Sequence, residues 1–548
     1  MEKLQKTLRD SAPMRWFMLV LVSMLMFSTY WFQDFFSGLK GLMESEMGFT
    51  SEEFGRMIGL TTIANIFGMI IIGGIILDKW GIRLAGFAFG GLATLGATIV
   101  ALASYGVFGE DHSTQLTMMI IGRVMFGSGL EVVCVVATRT IVKWFKGYEL
   151  ALAMAINMGF GRLGSAMGIA LSIDIGGGSV PPAVAFAATL IGLSLIFFLI
   201  YSVFDIRIDR QTGIKAGAAD GDEFKLEDLG KLITNRSFIF IALLCVSFYA
   251  AVFPFIQYAP DLMVNKFGFN YDLPETGNYF TLFGSISLGN TLIFIGLFVF
   301  GIAFSMVPAQ MKTITKKLFS LLIIFALFVV FVSTLWGTLS LWLKNGPKTA
   351  SLIPMGTILF TPIFGSYIDR KGKAASVMIL GALLLIFAHL SLSLFNSVIL
   401  GYLGLVSLGI AFSLVPAAMW PSVAKIVAEN RLGTAYATMF TIQNIGLLAF
   451  FWGIGKVLDV VNPAIVAQLE STRELLESQG LTSLEISEQI SQMRAVGDIP
   501  PYNYTWPIFM LVILGIISIF LAFQLRRADA KQKYGLELPF GGDGNVEN

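Results

Sequence analysis

Gly74-Ile-Ile-Leu-Asp78-Lys79-Trp-Gly81-Ile-Arg83 closes one long apolar run and leads straight into another. The pattern returns in the second half as Gly365-Ser-Tyr-Ile-Asp369-Arg370-Lys-Gly372-Lys373, again between two apolar runs. In both copies an Asp follows the first Gly by four residues, a base follows the Asp, and a second Gly comes three residues after the Asp. Either copy alone reads equally well as a plain basic loop with an incidental acid. The pair, at matching places in two similarly built halves, points to a repeated unit. The Gly residues permit a tight turn and close helix approach, and the bases favour the cytoplasmic side of a bilayer. The Asp is a fixed charge available to a helix N-terminus or to an Arg across a domain boundary.

Composition sets the class. The 548 residues are 55% hydrophobic and only 13% charged, with a mean hydropathy of +0.76. Repeated apolar stretches long enough to span a bilayer produce such values; a soluble globular chain does not. The lipid bilayer is therefore an expected partner. A net charge of +1 argues against a nucleic-acid partner. Cys134 and Cys245 both fall inside apolar runs and suggest no disulfide framework. His112 and His389 are too far apart in sequence to suggest a zinc or bis-histidine haem site, so no metal or cofactor is expected. No Gly-x4-Gly-Lys-Ser/Thr loop is present, which argues against nucleotide hydrolysis by that route. The segment Met1–Arg15 is polar and basic and lacks a secretory cleavage signal. An enzyme is not the expectation.

Apolar runs suited to spanning helices read as 15–37, 53–77, 84–104, 115–142, 149–174 and 181–204 in the first half. In the second they read 237–262, 289–310, 318–343, 350–368, 374–396, 398–426, 432–459 and 503–525. The expected fold is an all-α polytopic membrane protein: two six-helix bundles with an inserted transmembrane hairpin, fourteen helices in all. The domains are then 1–204, a linker at 205–236, a second bundle at 237–525, and a tail at 526–548. The second bundle includes the hairpin at 271–348 and a soluble helical cap at 462–502. Ser45-Glu-Met-Gly-Phe-Thr50 and Asn265-Lys-Phe-Gly-Phe-Asn270 follow corresponding first helices, which places the insertion between core helices 7 and 8. Basic loops around Lys79, Lys143, Lys312, Arg370, Lys425 and Arg526 alternate with base-poor ones. Both termini are therefore expected in the cytoplasm, with Lys344 and Lys348 as exceptions. A bacterial inner (plasma) membrane is the expected location.

The linker mixes six bases with seven acids, and its apolar residues over 223–233 recur at helical spacing, predicting a surface helix. In the cap, Thr482-Ser-Leu-Glu485 predicts a capping box opening a helix that carries Leu484, Ile490 and Met493. A preceding helix over 464–479 is expected to stop at Gly480. The cap reads as an inert cover, or, with the hairpin, as a surface for an accessory protein.

Charges inside spanning helices are costly and therefore informative. Glu131 lies 13 residues before Trp144, and Arg162 lies 13 residues after Glu149. At about 1.5 Å per residue both sit roughly 20 Å from the inner surface, near the bilayer middle. Opposite charges at equal depth either relieve each other's burial or present an acid and a base to a ligand. Asp34 and Arg123 match in the same way nearer the outer side, and Arg139 lies close to the cytoplasm as a gate anchor. The matching second-half positions are neutral, Asn444 opposite Arg162 and Ala411 opposite Glu131. Tyr249, Trp420, Gln443 and Asn444, with Tyr30 of the first helix, are candidates for the remaining ligand contacts. Pro254, Pro416 and Pro421 interrupt helices that would bend during gating.

The paired Asp loops resemble the loops between helices 2 and 3 of the major facilitator superfamily and their mirror in its second half. Gly122-Arg123-Val-Met-Phe-Gly127-Ser-Gly129 is similar to that superfamily's helix-4 motif, whose Arg is tied to proton coupling. Lys143-Trp-Phe-Lys-Gly147, Gly161-Arg-Leu-Gly-Ser165 and Cys245-Val-Ser-Phe-Tyr-Ala-Ala-Val-Phe-Pro-Phe255 resemble a branch of that superfamily that transports dipeptides. The resemblance implies alternating access and gating by Gly74, Asp78, Lys79, Gly81, Arg83, Gly365, Asp369, Arg370 and Gly372. It offers Asp34 and Arg123 either as coupling residues for protons or as a structural pair, and leaves secondary-active and facilitative transport both open. It also implies that Glu131 and Arg162 engage the two ends of a small-molecule substrate, a dipeptide or another zwitterion. A carrier of small organic anions would need Arg162 but not Glu131. A non-transporting sensor, with the cap as its receptor surface, is the reading from another class.

Overall fold

The computed structural model describes residues 7–212, 226–274, 276–428 and 431–539. It is nearly all helix. Twelve helices among the described residues are long and apolar enough to cross a membrane. The chain separates into two compact units. One comprises Met1–Asp220, Thr281–Phe294 and Ala464–Pro500; the other comprises Gly221–Phe280, Ile295–Pro463 and Pro501–Asn548.

The first unit opens with α1 (Ala12–Asp34), which runs on through Phe35, itself at right-handed helical angles, into α2 (Phe36–Met47). The run expected as one helix over 53–77 is broken. It forms α3 (Ser51–Leu60), the single turn α4 (Ile63–Ile66) and the start of α5 (Met69–Ser104), entered through Gly68 at φ 85°. A left-handed residue cannot continue a right-handed helix, and the Thr61–Thr62 pair interrupts the earlier stretch, so apolar composition alone could not reveal the breaks. At about 1.5 Å per residue, a 36-residue α5 would greatly overspan a bilayer. Gly81, at φ 77° and ψ 171°, divides it into two rods at the Asp loop. Gly372 in the second loop also has positive φ, 70°. That backbone requirement accounts for the second Gly of each copy. The first Gly has another status, contrary to the expected close approach: a side chain at Gly74 or Gly365 would meet nothing within 4 Å.

The unit is completed by α6 (His112–Phe145), α7 (Leu150–Gly176) and α8 (Val180–Thr212). Here α5 packs on α6 and α8, and α1 on α7 and α8. A Cβ added at Gly96 of α5 would stand 2.5 Å from the Gly122 carbonyl of α6. Backbones that close explain the small residues at this seam.

The second unit repeats the pairing. Its helices are α9 (Leu226–Thr234) in the linker and α10 (Arg236–Phe267), followed by α11 (Ile286–Gln310), α12 (Ile314–Thr334), α13 (Trp336–Trp342) and α14 (Gly346–Ala350). Then come α15 (Leu352–Lys371), α16 (Ala374–Leu394), α17 (Val398–Ile426) and α18 (Leu432–Val461). Two cap helices, α19 (Pro463–Ser478) and α20 (Ser483–Val496), come next in sequence but group with the first unit, and α21 (Thr505–Gln532) returns to the second. Helix α10 packs on α18 and α21 as α1 packs on α7 and α8; α17 packs on α15 and α16 as α6 packs on α5. The part of the linker at 213–225 lies outside the described residues, while α9 carries a buried Leu232 and an Asp228–Arg431 ion pair of 3.0 Å.

The ends of the 271–348 insertion meet. Asn270 N donates to the Lys344 carbonyl, and Gly346 N donates to the Asn270 carbonyl, each at 2.9 Å. Within it α11 and α12 are the least buried of the long apolar helices.

In the cap, Thr482 and Glu485 form the expected capping box, in which the Thr482 amide holds the Glu485 carboxyl below its usual range. The first cap helix ends before Gly480, at φ 82°. The apolar stripe differs from expectation: Ile486 and Ile490 are buried while Leu484 is 45% exposed. Contacts with α2 select that face, and they were not visible in the local spacing.

Candidate functional site

Glu131 and Cys134 lie one helical turn apart on α6, so their side chains share a face. Tyr30 of α1 passes over Gly161 of α7, where an added Cβ would stand 3.2 Å from the Tyr30 ring. Arg162 follows directly. The Tyr30 hydroxyl lies beside the Cys134 thiol and within electrostatic reach of Glu131 and Arg162. All four side chains are half-buried, unlike the fully buried apolar residues around them, Val132, Val133 and Ala166. Three helices thus gather one acid, one base and a phenol at a place that retains some access. Cys134 was missed in the sequence, where it read as a core thiol. Its spacing of three from Glu131 was the available signal.

Farther along the same bundle, Arg123 is fully buried and donates to the Phe32 carbonyl at 3.0 Å. The rings of Phe32, Phe36 and Phe126 lie within 5.7 Å of its guanidinium carbon. Asp34 accepts a hydrogen bond from Ser165 and is within electrostatic reach of Arg123. This is the environment of an anchored cation.

At the Asp-loop end, Asp78 pairs with Arg139, both about 30% exposed. The partner is a helix of the same unit. Arg83 turns to α8, 2.9 Å from Asp205 and 2.6 Å from Asp209. Lys143 makes the same two contacts at 2.8 and 2.6 Å. The Trp144 indole and Tyr201 hydroxyl donate to the other Asp205 oxygen at 3.2 and 2.8 Å. Asp205 is thus the hub of the loop, with a side chain 1% exposed. Sequence reading placed it in the linker because it terminates the apolar run 181–204. Lys79 projects outward.

In the second unit, Asp369 and Arg370 are exposed, and the loop is gripped instead by the tail. Lys373 N donates to the Glu537 carbonyl at 3.1 Å, and Ser376 donates to the Glu537 carboxylate through its amide and hydroxyl at 2.9 and 2.8 Å. Tyr249 and Trp420 do come together: the indole donates to the phenol at 2.9 Å, with Phe253 stacked on Tyr249 and Phe440 on Trp420. Gln443 accepts from Cys245 at 3.3 Å. Asn444 donates to its own helix at Phe440. Ala411 is fully buried. Phe253 and Phe440 were not singled out from the sequence, since isolated aromatics in apolar runs carry no pairing signal.

The family model described as Major Facilitator Superfamily matches residues 16–346. A lysosomal dipeptide transporter of Danio rerio, MFSD1, is 25% identical over 456 residues, covering 81% of this chain and 80% of its own length. Its Homo sapiens counterpart is 25% identical over 459 residues, covering 81% and 80%. Among solved structures, a bacterial homolog of the human lysosomal transporter Spinster, inward-facing and occupied, has a TM-score of 0.59. It is 12% identical and covers 95% of this chain and 98% of that one. The xylose transporter XylE from E. coli, inward open, has a TM-score of 0.55 at 10% identity, covering 94% and 96%. At these identities the solved structures establish the fold alone.

Proposed function

This chain belongs to the Major Facilitator Superfamily, and we propose that its cargo is a small zwitterion, with dipeptides first among them. The protein is an integral multi-pass membrane transporter and not an enzyme. The grouping of Glu131, Arg162 and Tyr30 at one half-buried place carries the cargo reading. An acid takes the ligand's amine, a guanidinium takes its carboxylate in bidentate fashion, and the phenol lies beside both. Relatives named for dipeptide transport support the same reading. Alternating access, with the Asp loops as gates, is the proposed mode.

The test is a thermal-shift comparison on purified protein. A ligand present at 100 times its Kd stabilises by about 2.7 kcal/mol, so alanyl-alanine at millimolar concentration is expected to raise the melting temperature. Its N-acetylated and C-amidated forms, each lacking one charge, are expected to give no shift. Equal stabilisation by an amine-free acid would replace the zwitterion with an organic anion as cargo.

The fourteen-crossing reading, with both termini cytoplasmic, rests on the length of α11 and α12 and the basic turn between them. A cysteine introduced within Met311–Lys317 is expected to react with an impermeant maleimide only from the side that carries both termini. Reaction from the opposite side would remove the hairpin as a membrane crossing.

A further inference from the structure

The cap departs from an inert cover in how it is held. Between residues 463 and 500 its only bases are Arg473 and Arg494, and both engage the last turns of α2. Arg494 pairs with Glu44 at 2.6 Å. Arg473 donates to the Ser45 carbonyl at 3.1 Å. It also covers Gly48, the left-handed residue that ends α2, where an added Cβ would stand 2.9 Å from its Nε. These contacts place positive charge at the negative end of the helix. Between the two arginines the hydroxyls of Ser45 and Ser487 meet at 2.7 Å, both buried.

Two features suit a contact that opens and closes. The clamp is polar, and the Arg473 and Arg494 side chains are 19% and 22% exposed, so water replaces their partners when they separate. Apolar burial in the cap is carried by Ile465, Leu469 and Leu476 of α19 and by Ile486 and Ile490 of α20, a handful of aliphatic side chains. Connectivity supplies the coupling. The cap docks on α2, yet both its covalent ends run into α18 and α21, which pack against α10. Any shift of those two helices relative to α2 must strain or release the clamp.

We propose that the cap is a releasable latch: Arg473 and Arg494 clamp the end of α2, and releasing that clamp is a step of the transport cycle. The proposal goes beyond the cargo reading and uses it only in one of its two readouts.

The test is the full-length Ser45→Cys/Ser487→Cys protein, measured reduced and oxidised. The hydroxyl separation allows a disulfide, so oxidation should remove both introduced thiols; if it does not, the docked geometry and the latch fall together. With the bond closed, alanyl-alanine uptake in proteoliposomes should drop at least tenfold and return on reduction. Amide hydrogen exchange at the cap-side ends of α18 and α21 should slow severalfold on oxidation. Unchanged exchange there, or unchanged uptake with the bond closed, overturns the latch. If unmodified protein takes up no alanyl-alanine, the cargo reading fails and the exchange measurement alone decides. Should the reduced double variant not fold, exchange is compared instead between unmodified protein and Arg473→Gln/Arg494→Gln. The latch then requires faster exchange at the same ends of α18 and α21, and a change confined to 463–500 overturns it.

Discussion

Glu131→Gln combined with Arg162→Gln yields a protein that folds, reconstitutes and does not transport. Each single substitution leaves one of two half-buried charges beside Tyr30 without a counterpart of opposite sign, and an uncompensated charge inside a protein costs on the order of a few kcal/mol. A single variant that fails therefore says little about ligand binding. The double variant removes both charges while keeping side-chain size and hydrogen-bonding capacity, so its melting temperature should lie close to that of the unmodified protein. Uptake of alanyl-alanine should fall at least a hundredfold, because neither a carboxylate for the amine nor a guanidinium for the carboxylate remains. A well-folded double variant that transports would reduce the pair to a structural one. Glu131→Gln alone, if folded, separates the two readings: an anion carrier, which needs Arg162 but not Glu131, keeps its transport, whereas a zwitterion carrier loses it.

Asp205→Ala is expected to destabilise the first unit. The carboxylate accepts from Arg83, Lys143, Trp144 and Tyr201, and its side chain is 1% exposed. Truncation leaves two cations sharing Asp209 and two polar groups without their acceptor, a loss of roughly 3 kcal/mol. The measurement is the thermal melt in detergent together with the yield of monodisperse protein. Asp369→Asn provides the contrast: its exposed side chain places it among surface changes worth about 0.5 kcal/mol or less. Asp78→Asn falls between them, since the Arg139 pair is partly exposed. There the expected change is a slower transport cycle with equilibrium ligand binding kept within a few-fold. A melt of Asp205→Ala indistinguishable from that of Asp369→Asn would show that the network around α8 is not what holds the first Asp loop.

Membrane class, internal repetition and the helical runs were legible in the sequence because each depends on local composition. A bilayer demands long apolar segments, and every backbone polar group within them must be satisfied inside its own helix. Even the Gly81 and Gly372 turns were readable, since positive φ selects Gly residue by residue. Glu131 and Arg162 stood out because a charge in an apolar run is rare whatever surrounds it. Partner choice was not legible. Arg494 and Glu44 are 450 positions apart, Tyr30 and Cys134 belong to different helices, and Asp205 finds Lys143 across 62 positions. No periodicity links such residues; the packing of α1, α6, α7 and α8, and of the cap on α2, brings them together. The breaks after α3 and α4 were hidden for the same reason, because an apolar run registers burial and not backbone angle. Local chemistry determined what each segment is, and only tertiary packing decided which side chains meet.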